Sequence, residues 1–158
     1  VIRLLKVDPL SKETGLLMPF AVQRILKMAR ETPTEYNGEA LAQQWVRRLI
    51  AQDPGILLLA FVEGSGRLVG HCLCCLDGAH GRQWVLVLQA KTDVVVGKRL
   101  RQACIDFMDS WGRSYGATQM LMGTSRDAAV WERLYGFKTT RVVMERTLGA
   151  PLRRARED

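Results

Sequence analysis

The chain predicts an α+β fold: a mixed, largely antiparallel central sheet flanked by helices. Three observations carry this. Apolar segments of strand length at 56–63, 67–76 and 83–89 follow one another across short turns, which makes an antiparallel meander. Stretches with apolar residues at helical spacing precede and follow that meander. Between Val85 and Phe137 the pattern becomes strand, tight turn, long helix, strand, short helix. The order is β-α-α-β-β-β-α-β-α-β. At 158 residues the length suits one domain, expected over 1–150, with 151–158 a mobile tail.

Each element has a local reason. Val1–Val7 alternates loosely and ends at Asp8-Pro9, as a short strand. Pro19 suits a helical first turn, and Val22, Ile25, Leu26, Met28 and Ala29 continue the period to Arg30. Residues 31–38 hold Pro33, Asn37 and Gly38 and read as a loop. Leu41, Trp45, Val46, Leu49 and Ile50 give a second amphipathic helix from Glu39 to Gln52, stopped by Asp53-Pro54-Gly55. In the third strand of the meander, Trp84, Leu86 and Leu88 take one face and Val85 and Val87 the other. A turn over 91–98 leads to the longest helix, with Val96, Leu100, Ala103, Cys104, Phe107 and Trp111 as its apolar stripe and Gly116 as its stop. Residues 118–122 form a short strand reached through that helix, hence parallel to its predecessor. Ser125 is placed to cap a helix over 127–135, and 137–148 closes as a strand or pair.

Composition narrows the function. The net charge of +7 favours polyanionic partners: a phosphate-rich cofactor, an acidic protein or nucleic acid. For nucleic acid, however, no basic stripe interleaved with aromatics is visible. The longest apolar runs are too short for the ~20 residues a bilayer demands. With no signal-peptide layout at Val1–Lys6, a cytoplasmic protein is expected. Cys72, Cys74 and Cys75 crowd one strand, with Cys72 and Cys74 facing one side and Cys75 the other. That spacing suits neither a zinc site nor a disulfide, so these cysteines and Cys104 read as small buried hydrophobes and no metal is expected.

The chemistry concentrates at Lys91–Lys98. A strand there hands over to a helix N-terminus, whose unpaired N–H groups favour anions, phosphates above all. This turn and the element order resemble the GNAT-type N-acetyltransferase superfamily, which carries an acetyl group from acetyl-CoA to an amine. The hairpin from Leu58–Glu63 to Arg67–Gly70 is similar to the family's second and third strands. The family's pyrophosphate loop, Arg/Gln-x-x-Gly-x-Gly/Ala, aligns with 92–97. Its Asn-x-x-Ala…Gly-Phe signature aligns with Ser125, Ala128, Gly136 and Phe137. Departures lie in the same places: Thr92 stands for Arg or Gln, Val95 for the first glycine and Ser125 for Asn.

The resemblance implies a GNAT-like acyl-CoA N-acyltransferase fold with acetyl-CoA as co-substrate. It would be held by Leu88, Gln89 and Ala90 on the strand, by Val94, Val95, Val96, Gly97, Lys98 and Arg99 at the turn, and by Ser125. The acceptor would be a small-molecule or peptide amine attacking the thioester directly, across a splayed gap between 87–90 and 119–122. Where many relatives carry a proton-donating Tyr, this chain has Glu132. Near the adjoining strands, Glu63 at the end of the second strand is the candidate general base, with Gln89 on the fourth strand and Asp77 and His80 in the turn between the third and fourth. A GNAT-fold protein that binds without transferring, and a basic nucleic-acid-binding protein, are the alternatives. Trp45, Trp84 and an exposed last strand would suit a homodimer.

Overall fold

The computed structural model describes residues 1–32, 38–123, 128–140 and 148–149. Five strands form one mixed sheet in sequence order, β1-β2-β3-β4-β5. They are β1 Ile2–Lys6, β2 Ile56–Glu63, β3 Leu68–Ala79, β4 Arg82–Thr92 and β5 Gln119–Met122. The first three pairings are antiparallel and β4–β5 is parallel, as the intervening helix requires. The helices are α1 Met18–Glu31, α2 Glu39–Ile50, α3 Lys98–Ser114 and α4 Ala128–Tyr135. Chain contacts divide the molecule into two compact units, Val1–Gly123 and Thr124–Asp158.

In the first unit α1 and α2 cover one face of the sheet and α3 the other. Strand β2 shows why its sequence runs apolar without alternation: it is buried on both sides. Ile56, Leu58, Ala60 and Val62 join the α1/α2 core, and Leu57, Leu59 and Phe61 join the α3 core. Trp84, Leu86 and Leu88 of β4 pack toward α1/α2, and Val85 and Val87 toward α3, as the alternation requires. All four cysteines are free and buried, with Cys72 and Cys74 on the α3 side and Cys75 opposite.

Several expectations shift. Strands β3 and β4 run longer than their apolar cores, so the expected turn at Asp77–Gly81 shrinks to His80-Gly81. Ala79 pairs with Arg82 across it, and both turn residues have positive φ, at 52° and 74°. That is the primed turn geometry whose twist matches a hairpin. The α3 stripe also moves. Ala103 and Phe107 are exposed, and the docked line is Cys104, Met108 and Gly112. A Cβ on Gly112 would collide with Val85 Cγ2, so the helix seats its bare glycine on the sheet. A count of apolar side chains gives glycine no weight and therefore picks Phe107. Trp45 is 6% exposed, buried among α1 and α2, and offers no surface to a second subunit.

In the second unit, described by itself, α4 ends at Gly136 with φ +71°. Trp131 stacks edge-on to Phe137, their ring centres 5.9 Å apart. Residues 137–140, expected as strand, carry no regular structure, and 141–147 lie outside the described residues, as do the expected loop at 33–37 and the tail.

Candidate active site

Strand β4 delivers the chain to the site, and a bulge shapes it. Leu73 pairs with Gln89 but Cys74 with Val87, so Leu88 is an extra residue on β4. The bulge turns both Leu88 and Gln89 toward α1: Leu88 enters that core, and Gln89 Nε2 donates to the Ile25 carbonyl at 3.1 Å. On its other edge β4 pairs with β5 only from Trp84 to Val87. Beyond Val87, β4 has no β5 partner among the described residues. Residues 119–122 are all paired, so the gap expected along them is not there. Past Val87, N–H groups of β4 on that edge are edge-strand donors as far as the described residues go.

The turn follows at once. Asp93 N–H still bonds the Val69 carbonyl, at 2.7 Å. From Val94 to Arg99, no backbone N–H has a hydrogen-bond partner among the described residues, and α3 has no side-chain cap. Gly97 is the N-cap, with an ordinary φ of −61° and nothing within 4 Å of where a Cβ would stand. Folding alone therefore does not demand glycine there. A bare Cα leaves room there for a close approach to the backbone. Val96 is 5% exposed and anchors the turn to the α3 core, whereas Val95 is 96% exposed and packs on nothing. Lys98 and Arg99, with Gln102, Ala103 and the carboxylate-bearing Asp106, border a shallow groove at this helix end. Free N–H groups, a helix N-terminus and two cations are features that favour an anion, with Asp106 an opposing charge on the groove.

The turn is tied to α1 by Arg24, whose guanidinium grips Asp93 with two bonds, 2.5 and 3.1 Å. That grip holds the Asp93 carboxyl below the usual carboxylate range. Behind it, His71 Nε2 lies 2.7 Å from Gln89 Oε1 with both side chains buried. Desolvation pulls the His71 pKa down to about 4, so the imidazole is neutral near pH 7. Sequence reasoning gave His71 and Arg24 no part. A histidine inside an apolar strand was a signal, but its partner is 18 residues away, across the hairpin.

Of the site residues expected from sequence, Leu88, Gln89, Ala90 and Val94–Arg99 lie together on β4 and the turn. Leu88 and Gln89 face α1, so their backbone alone is open to the β5 side. Glu63 stands at the end of β2, with β3 between it and β4, and both its oxygens accept from Arg67 at 3.0 Å. The Arg67 guanidinium holds its carboxyl below the ordinary range. In the second unit, Glu132 Oε1 accepts from the Thr139 N–H at 3.0 Å and from its hydroxyl at 2.9 Å. In that same unit the Tyr135 hydroxyl is buried without a partner among the described residues. Ser125 lies outside the described residues.

The mixed sheet with its flanking helices is the fold of the GNAT acetyltransferases. Glucosamine-6-phosphate N-acetyltransferase from Arabidopsis thaliana superimposes with a TM-score of 0.63 at 12% identity, over 94% of this chain and 99% of that one. A predicted acetyltransferase from Clostridium acetobutylicum, solved with acetyl-CoA, gives 0.63 at 12%, over 94% and 97%. An aminoglycoside 6'-N-acetyltransferase from Acinetobacter baumannii gives 0.58 at 15%, over 94% and 100%. No family model and no curated protein matches the sequence.

Proposed function

We propose that this chain is an acetyl-CoA-dependent N-acetyltransferase that moves an acetyl group to an amine by direct attack. The observation that carries the reading is the run of N–H groups from Val94 to Arg99 without a partner among the described residues, set just past the end of β4. That run suits the CoA pyrophosphate, with Lys98 and Arg99 adding charge. The pantetheine arm would follow the open edge of β4 along Leu88–Ala90. A free N–H there would polarise the thioester carbonyl as the amine nitrogen attacks it. The carbon–sulfur bond of the tetrahedral intermediate then breaks, and the CoA thiolate takes up a proton. Attack of this kind needs positioning more than a nucleophilic side chain. Glu63 as base and Glu132 as acid belong to this reading, and each must first give up its present partner, Arg67 or Thr139. The amine acceptor is a small molecule or peptide, and 1–150 is read as one functional domain.

The engagement of both carboxylates favours a second reading, a GNAT-fold module that binds CoA without transferring. Calorimetry with CoA, followed by acetyl-CoA turnover on a panel of amines, tests both. CoA is expected to bind, and Gly97→Glu is expected to abolish binding by setting a carboxylate among the phosphate donors. Absence of binding at millimolar CoA, or unchanged affinity in the variant, defeats both readings. Binding without turnover on any amine selects the second.

A further inference from the structure

A cavity of about 660 Å³ opens between the start of α1, the β2–β3 hairpin and the end of β4. That volume suits a small organic ligand. Only Lys91 and Asp93 connect it to the anion turn, and none of the free N–H groups from Val94 to Arg99 lines it. Two buried polar atoms of its wall have no partner among the described residues: Arg24 Nε, a donor, and His71 Nδ1. The network fixes the role of the second. Gln89 Nε2 donates to Ile25, so Gln89 Oε1 accepts, and His71 must present its proton on Nε2. His71 Nδ1 is then a bare acceptor on a side chain only 1% exposed. An unpaired buried donor and acceptor cost about 1–3 kcal/mol each, a cost that a ligand or a water can remove.

The rest of the wall narrows the ligand. Arg24, Lys27, Arg67 and Lys91 line it, against the single carboxylate of Asp93. Lys91 has no ion pair among the described residues, and Lys27 reaches Glu31 only at 3.8 Å. Leu17 and Leu68 supply apolar wall, and Phe20, 60% exposed, stands at the rim with nothing covering it. Excess positive charge beside apolar surface is complementary to an amphipathic anion.

We propose that this cavity binds a small organic anion with an apolar body, its acid group on Lys27 and Lys91 and a hydrogen-bond donor on His71 Nδ1. The assignment is independent of CoA binding. The probe is 8-anilinonaphthalene-1-sulfonate, which combines an acid group, an aromatic body and one N–H donor. It is titrated into the full chain by calorimetry and fluorescence. In parallel, the ring nitrogens of His71, one of only two histidines, are followed by 15N NMR. The expected result is saturable one-to-one binding and an upfield shift of the His71 Nδ1 resonance. Roughly tenfold or greater weakening is expected in the Lys27→Glu/Lys91→Glu double variant, whose sites are exposed. Phe20→Asp should also weaken binding, and excess CoA should not displace the probe. Absent saturable binding, equal affinity in the double variant, or one-for-one displacement by CoA would each overturn the assignment. So would a stationary Nδ1 resonance, which would leave a water as the cavity's only occupant.

Discussion

Burying a neutral histidine makes the stability of this fold depend on pH above the range where carboxylates titrate. His71 is about 4 in the folded state and near 6.5 when the chain is unfolded. The folded state therefore binds fewer protons between those values, and stability is lost as pH falls through 6.5 toward 4. At pH 7 nearly all of the contribution is present. At pH 5 the unfolded histidine is almost fully charged and the folded one almost wholly neutral. The loss between pH 7 and pH 5 is about 2 kcal/mol, on the order of a quarter of a typical domain's stability. Urea unfolding at several pH values measures it, with His71→Gln as the reference that subtracts every other titrating group. The wild-type free energy should fall toward pH 5 with a slope approaching ~1.4 kcal/mol per unit, and the variant's should fall less by that amount. Parallel curves for the two proteins would refute the buried neutral imidazole and the tautomer argument that rests on it.

Other perturbations test separate contacts. Gln89→Leu removes the acceptor of a buried N–H, and should cost roughly 1–3 kcal/mol by shift of the urea midpoint; an unmoved midpoint would mean that His71 finds another partner. Gly112→Ala places a methyl against Val85, which is 2% exposed and β-branched. Overpacking of this kind costs about 1–3 kcal/mol, against roughly 1 kcal/mol gained in helix propensity, so the melting temperature should drop. Val85→Ala in the same chain should recover most of the loss, and a Gly112→Ala protein as stable as wild type would show that α3 does not seat on that glycine.

Most of the architecture was legible in local chemistry. The antiparallel meander followed from apolar runs separated by turn residues, and the parallel β4–β5 pair from the helix that joins them. The two faces of β4 followed from its alternation as far as Val87. Past that point period two fails, because the extra residue at Leu88 keeps Leu88 and Gln89 on the same face. Nothing at Leu88 marks the bulge: it appears only when β4 is set in register against β3. The seat of α3 was hidden for a related reason. Its contact is an absence, the missing side chain of Gly112, and only the position of Val85 gives that absence meaning.

The anion turn divides in the same way. The residues 91–98, the strand-to-helix switch and Gly97 are in the sequence, because a chain leaving a strand for a helix must leave N–H groups unpaired. That none of the N–H groups from Val94 to Arg99 meets a partner among the described residues depends on what surrounds the turn. So do the fixing of Asp93 by Arg24, 69 residues away, and the pairing of His71 with Gln89. The sequence alone determined the strands and helices from β1 to α4, since those follow from neighbours in the chain, and it marks 91–98 as the turn to test for an anion. Which buried polar groups are matched and which stand unpaired was decided by the tertiary structure alone, since a hydrogen bond depends on distances the chain sets only once it has folded.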